Sequence, residues 1–148
     1  MNDVSTKLRL ALYEAPDGPR VMLFGSLQGE FRKLQECFRN LASNQRPLEI
    51  HSLSFIQPFG DIRLIASCSG SMLEPLAEKA QGLRKVDDVN GHEFNWLRTA
   101  EGWEYLADLI DGLVTSSNPG HQYLSNYPTE DAILVVSKGE YGDDVLSK

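Results

Sequence analysis

The residues best suited to acid–base chemistry lie near the end of the chain. Residues 120–124 read Gly-His-Gln-Tyr-Leu, and residues 137–141 read Ser-Lys-Gly-Glu-Tyr. If the two segments pair as antiparallel strands, His121 and Glu140 approach each other, and a histidine–carboxylate pair can act as general acid and base. No nucleophile is tied to this pair by its spacing. His121 and Glu140 are therefore the candidate catalytic residues of an alternative function, a small enzyme or small-ligand domain, and we favour a non-enzymatic one.

Motifs for metal or cofactor chemistry are absent from the sequence. The three histidines have no HExxH or HxH spacing, and Cys37 and Cys68 form no CxxC motif, so neither predicts a zinc site. Residues 25–29, Gly-Ser-Leu-Gln-Gly, lack the Walker lysine and the three-glycine dinucleotide pattern. We expect no metal and no cofactor, and we expect both cysteines to be buried, reduced thiols.

Acidic residues are concentrated in the second half of the chain. Residues 1–69 contain eight basic and seven acidic side chains, whereas residues 70–148 contain six basic and fourteen acidic ones. A second helix is predicted after Thr99, its N-cap, and it contains no Lys or Arg. Four carboxylates recur along it at spacings of three, four and three, the last near its end, which places them on one stripe opposite its apolar face. These residues, called the acidic stripe below, are Glu101, Glu104, Asp108 and Asp111.

The acidic stripe has two main interpretations. It is either the solvated face of an ordinary amphipathic helix or a docking surface for a protein partner with a basic surface. Repulsion between Glu104 and Asp108, four residues apart, costs roughly 0.2–0.5 kcal/mol, and a basic partner would relieve it. A homodimer whose acidic helix faces solvent is a third interpretation. The net charge of −7 argues against direct nucleic-acid binding.

Periodicity predicts a single α+β domain over residues 1–148, with a largely antiparallel sheet and two main amphipathic helices. An offset of 72 residues aligns the apolar faces of the helices, placing Phe31 on Trp103 and Phe38 on Ile110. This alignment suggests an internal ββαββ duplication with halves 7–69 and 79–137. Any two amphipathic helices can, however, be placed in register, so the alignment is also explained by helical periodicity without a duplication. The segment 71–81 fits either a helix or a strand.

Targeting signals are not evident. No basic segment followed by an apolar stretch occurs at the start, and the apolar run 132–136 is too short to span a bilayer. We expect a cytoplasmic protein that does not associate with membranes.

Short motifs recur between residues 93 and 141, namely Trp96, the segment 99–103 (Thr-Ala-Glu-Gly-Trp), and the segments 120–124 and 137–141. With these motifs, the segment resembles the C-terminal portion of small uncharacterised bacterial proteins, some of them grouped with immunity proteins of polymorphic toxin systems. The resemblance implies a cytoplasmic, non-enzymatic protein that occludes a toxin, and it identifies no binding residues.

Overall fold

The computed structural model describes residues 7–44, 46–69, 82–87, 91–125 and 129–140. The strands in these ranges are β1 (Leu8–Ala15), β2 (Gly18–Gly25), β3 (Leu48–Glu49), β4 (Ile56–Pro58), β5 (Ile62–Cys68), β6 (Gly82–Val86), β7 (His92–Arg98), β8 (Gly120–Tyr123) and β9 (Ile133–Lys138). The helices are α1 (Gln28–Asn44), α2 (Ala100–Leu109) and the short α3 (Asp111–Thr115), and a 3₁₀ turn covers Ile50–Ser52. The ambiguous segment 71–81 lies outside the described residues.

The strands form two sheets. Sheet I has the order β4-β1-β2-β9-β8, and sheet II has the order β3-β5-β7-β6. Four strand pairs are antiparallel, and three, β1–β4, β2–β9 and β5–β7, are parallel. The α+β class and the antiparallel majority are confirmed. The sequence did not predict that the strands would divide between two sheets.

The two sheets have corresponding strand orders. Apart from β4, which adds a fifth strand beside β1 in sheet I, each sheet contains an antiparallel hairpin of one half (β1–β2 or β6–β7), then a parallel strand of the other half (β9 or β5), and last a short antiparallel strand (β8 or β3). Each half therefore completes the sheet of the other, and the internal duplication stays a prediction. Residues 79–81, at the start of the second half, lie outside the described residues.

Two residues 72 positions apart meet between the helices, whereas the two hairpins correspond at an offset of 73 residues. Gln35 Nε2 donates to the carbonyl oxygen of Ala107, 72 residues away, at 2.9 Å where α1 and α2 meet. In the hairpins, Leu23 pairs with Leu10 as Trp96 pairs with Leu83. Phe24, which an offset of 72 would place on Trp96, points to the other side of sheet I and packs in a separate apolar cluster.

The central core contains the inner faces of both sheets and of both long helices. Its aromatic centre is formed by Phe38, Trp96 and Trp103, whose ring centroids lie 4.8–5.5 Å apart. Such contacts add about 0.5–1.5 kcal/mol per pair to the burial of the rings. Cys37 and Cys68 are free thiols as predicted, but both are only partly buried, so the prediction of full burial was wrong.

The second helix begins where the sequence predicted and ends earlier. The hydroxyl oxygen of Thr99 accepts from the Gly102 N–H at 3.1 Å, which confirms the predicted N-cap. The helix stops at Leu109, and Ile110, with φ of −88° and ψ of 2°, separates it from α3. Asp111 consequently lies in the first turn of α3, where a carboxylate is favourable, and not at the end of a continuous helix as predicted.

Loop residues close the outer edge of sheet II. The Leu83 N–H donates to Glu130 Oε1 at 2.6 Å, and the Asp131 N–H donates back to the Leu83 carbonyl oxygen at 2.9 Å. The Lys85 N–H donates to Asp131 Oδ2 at 2.9 Å. Gly82 has a φ of +87°, and any Cβ there would overlap the Glu130 side chain. On this outer edge, the N–H and C=O of Leu83 and the N–H of Lys85 are thus hydrogen-bonded without a further strand.

Among the described residues, no helix is long and apolar enough to cross a membrane.

Candidate functional site

Three residues of the acidic stripe lie together on the exposed surface of α2. Glu101, Glu104 and Asp108 are all solvent-exposed, as the helical spacing predicts. Asp111 is exposed too, but it belongs to α3, and its Oδ1 accepts a hydrogen bond from Gln35 Nε2 at 3.1 Å. The structure therefore keeps three carboxylates in one group and ties the fourth to α1.

Arg39 on α1 neutralises part of the acidic stripe. Its Nη1 lies 2.7 Å from Glu104 Oε1, and its Nη2 lies 3.2 Å from Asp108 Oδ1. The hydrogen bonds that Arg39 donates to Asp108 and, after it, to Glu104 raise the pKa of Arg39. The stripe was predicted from a segment without Lys or Arg, and the assumption that its charge is unopposed was wrong. Because α1 packs beside α2, a residue 65 positions before Glu104 supplies the cation.

A shallow depression lies beside this ion-pair group. It has a volume of about 400 Å³ and is lined by Ala42, Ala100, Glu101, Glu104, Tyr105 and Asp108. The alanines supply an apolar part, the three carboxylates supply the charge, and Tyr105 is 60% exposed. Sequence analysis missed Tyr105, although a tyrosine four residues after Glu101 on the polar side of the helix was a usable signal.

His121 and Glu140 are in contact, as their predicted strand pairing required. β8 and β9 pair antiparallel with His121 opposite Ser137, and His121 Nδ1 lies 3.0 Å from Glu140 Oε1 and 3.1 Å from Oε2. An ionised carboxylate only accepts, so Nδ1 carries the proton in this pair and Nε2 is the basic nitrogen of the neutral ring. The His121 ring also packs edge-on against Tyr123, with centroids 5.3 Å apart.

The order of hydrogen bonds at this pair differs from that of a nucleophilic triad. Ser137 Oγ donates to Glu140 Oε1 at 2.6 Å, so the carboxylate lies between the hydroxyl and the imidazole. The hydrogen bond from Ser137, and after it the one from His121, holds the pKa of Glu140 below its usual value. In a serine triad the imidazole lies between hydroxyl and carboxylate and takes the hydroxyl proton. Ser137 is also buried, so it is not placed to attack a substrate.

A buried lysine, Lys138, is the most unusual charged residue that sequence analysis did not single out. Its Nζ donates to the carbonyl oxygens of Leu113, at 2.8 Å, and of Ser116, both at the end of α3. Gln28 Nε2 donates to Val114 O at 3.0 Å and to Ser116 O at 2.8 Å. Carbonyls at a helix end have no partner within the helix, so these side chains satisfy them. The group is structural, since its polar atoms are occupied within the protein.

Groups of three or more His, Cys, Asp or Glu residues that could hold a metal ion do not occur in the part of the chain that the structure describes. Comparison with known proteins gives no match to any family model, curated protein or solved structure.

Proposed function

We propose that this protein is a non-enzymatic binding protein that neutralises or regulates a protein partner with a basic surface. The partner docks on α2, in the way that an immunity-type protein occludes its toxin. The residues that bind it are Glu101, Glu104 and Asp108 with Tyr105 between them, while Asp111 acts at the margin of the surface.

The observation that carries the proposal is the exposed Tyr105 beside three carboxylates at a depression. A guanidinium or ammonium group that enters the depression meets an aromatic ring and carboxylates together, and both attract cations. Tyrosine is among the residues that contribute most to binding energy at protein interfaces. A helix face that only keeps the protein solvated needs no exposed aromatic residue.

The Arg39 ion pairs are compatible with docking. All three side chains are exposed, with Asp108 at 72%, and exposed ion pairs contribute only about 0–1 kcal/mol. Glu101, Glu104, Asp108 and Arg39 together keep a net charge of −2. A partner cation can therefore pair with Glu101 directly and compete with Arg39 for Asp108 at little cost.

The test is a calorimetric titration against the product of the adjacent gene, with two matched double charge reversals. Glu101→Lys/Asp108→Lys is expected to weaken binding at least tenfold, mainly through slower association at low salt. Glu14→Lys/Asp87→Lys changes the net charge equally at exposed positions elsewhere and is expected to leave the affinity within about twofold. Equal losses in both variants would reduce the effect to overall charge and remove α2 from the proposal.

Arg39→Ala separates docking from a purely structural role of the stripe. It frees Glu104 and Asp108, so a docking surface becomes more negative and association with a basic partner becomes faster. If the stripe serves only to hold α1 and α2 together, the variant loses a little stability and association is unchanged or slower. Association rates measured at low and high salt distinguish the two, because screening weakens only the electrostatic effect.

A second candidate function, a small enzyme or small-ligand domain at His121 and Glu140, is favoured by their direct hydrogen bond. The bond fixes the ring so that its second nitrogen is a base, which general-base chemistry requires. Its test is a small-molecule screen by NMR that monitors the His121 ring, with Glu140→Gln as the comparison. A ligand that shifts the ring in the parent and binds more weakly to Glu140→Gln would support this function.

A further inference from the structure

Within the part of the chain that the structure describes, the backbone groups on the outer edge of β8 have no hydrogen-bond partner. The Leu124 N–H donates to the Leu134 carbonyl oxygen at 2.7 Å, so this pair is a hydrogen-bonded one. Bonding alternates along an antiparallel ladder, so Gln122 and Gly120 also bond to β9, whereas the N–H and C=O groups of His121 and Tyr123 point away from it. β9 is the only strand paired with β8 among the described residues, and Tyr123 is 51% exposed.

The other sheet edges have features that disfavour pairing with a further strand. β6 is closed by residues 129–131, as described above. β3 has only two residues and turns into a 3₁₀ helix, and β4 has three residues and ends in Pro58, which has no N–H to donate. Short strands, proline and covering loops are the usual ways to prevent edge-to-edge pairing. β8 is also short, but its four residues include no proline, and no hydrogen bond links its outer backbone groups to a described loop.

We propose that β8 is a self-association edge, which pairs antiparallel with β8 of a second copy of this chain. The two-fold axis then passes beside Gln122, and His121 of each copy lies opposite Tyr123 of the other. His121 and Tyr123 are the residues whose backbone groups face outward, so they form two hydrogen-bonded pairs, each exchanging two N–H to O=C bonds. The pairing joins the two copies of sheet I into one continuous sheet and has the isologous symmetry of most dimers.

The side chains of β8 are complementary to themselves in this register. The imidazole of His121 meets the phenol ring of Tyr123 from the other copy, which continues the edge-on contact already present within one copy. Aromatic cross-strand pairs stabilise a sheet, whereas like charges directly opposite each other destabilise it. Gln122 faces Gln122, and two amides can exchange hydrogen bonds. No acidic residue lies within β8, and the one carboxylate beside the contact, that of Glu140, is hydrogen-bonded to His121 and Ser137 of its own copy.

The length of the strand sets the strength of the dimer. Four residues on each side form a small interface, and small interfaces belong to weak, transient assemblies. A dissociation constant in the micromolar to millimolar range is therefore expected. The dimer is independent of the proposed docking of a basic partner, because that partner binds α2 and not β8.

The experiment is sedimentation velocity on the full chain over a concentration series, with Tyr123→Pro and Tyr123→Thr as matched variants. Proline at position 123 removes an N–H that points away from β9, so it blocks pairing with a second copy and leaves the β8–β9 ladder intact. Tyr123→Thr also removes the ring but keeps the N–H. The parent is expected to dimerise with rising concentration, Tyr123→Thr to dimerise more weakly, and Tyr123→Pro to stay monomeric with an unfolding midpoint close to that of Tyr123→Thr.

Amide hydrogen exchange keeps the test decisive if Tyr123→Pro fails to fold. In the parent, exchange at His121 and Tyr123 is expected to slow as the concentration rises, while exchange at Gln122 stays slow throughout because that N–H already bonds to β9. A parent that remains monomeric at millimolar concentration, or a dimer in which exchange at His121 and Tyr123 is independent of concentration, would overturn the proposal. A dimer lost in Glu101→Lys/Asp108→Lys and retained in Tyr123→Pro would assign self-association to α2 and overturn it as well.

Discussion

Replacing Lys138 by methionine is expected to destabilise the protein. The lysine is 2% exposed, and its ammonium group donates to the carbonyl oxygens of Leu113 and Ser116 at the end of α3. Methionine keeps most of the length and apolar character of the side chain, so the change removes the donor with little loss of packing. Ser116 retains its hydrogen bond from Gln28, whereas no other described residue donates to the Leu113 carbonyl outside the helix.

The magnitude follows from two opposing effects. A hydrogen bond from a charged donor contributes about 1.5–3 kcal/mol, and an orphaned buried acceptor costs a similar amount. Against this, the variant no longer buries a charge, and exchanging a whole buried charged group for apolar side chains is often neutral. Only the donor is removed here and the carbonyls stay, so the loss dominates. We expect a decrease of about 2 kcal/mol in the free energy of unfolding.

Urea denaturation measures this change, and Lys85→Met is the control. Lys85 is exposed, so its replacement is expected to alter the free energy of unfolding by less than about 0.5 kcal/mol. For Lys138→Met the denaturation midpoint should fall with an unchanged slope, and the melting temperature should drop by about 4–8 °C. A Lys138→Met protein as stable as the parent would show that desolvation of the ammonium cancels its hydrogen bonds and would refute the reasoning.

Three further predictions concern single residues. Gly82→Ala should lower the free energy of unfolding, measured by urea denaturation, by about 2–3 kcal/mol, because φ is +87° and the methyl group would displace the Glu130 carboxylate. Gly29→Ala in α1, where the methyl group has open space, should raise it by up to about 1 kcal/mol. Glu140 has a pKa below its usual 4.5, so its contribution to stability is complete above that value and disappears as the pH falls through the lowered pKa. Ser137→Ala should move that pKa upward in an NMR titration, and an unchanged pKa would contradict the assignment to this hydroxyl. Burial, with a smaller contribution from a neighbouring glutamate, raises the pKa of the Cys37 thiol to about 11. In a variant that lacks the other cysteine, Cys37 should therefore have about 100-fold less thiolate at pH 8 than a thiol with a pKa of 9.0, and its alkylation should be correspondingly slow until urea unfolds the protein.

The acidic stripe shows how tertiary structure changes the meaning of a sequence pattern. Spacing along α2 correctly predicted that Glu101, Glu104 and Asp108 share one exposed surface, because helical periodicity depends only on the segment itself. The absence of nearby cations in the sequence suggested an unopposed charge. Arg39 lies far away in the chain but beside Glu104 and Asp108 in space, and no local pattern contains that information.

Local signals predicted much of the framework. The Thr99 cap and the apolar face of α1 follow from side-chain chemistry and spacing, and the pairing of β8 with β9 brought His121 to Glu140 as expected. The break at Ile110 escaped prediction because the apolar spacing continues through it into α3. Periodicity therefore locates a buried face without showing whether one helix or two carry it.

The sequence by itself determined which helix positions face the core, where α2 begins and how much negative charge the second half carries, since each depends on neighbours along the chain. Only the tertiary structure decided that each half completes the sheet of the other, that Lys138 is buried against the end of α3, and that β8 pairs with no described strand other than β9. These features arise when segments far apart in sequence compete for the same partners. The outcome depends on which contacts the whole chain can satisfy at once, and a pattern within one segment does not record it.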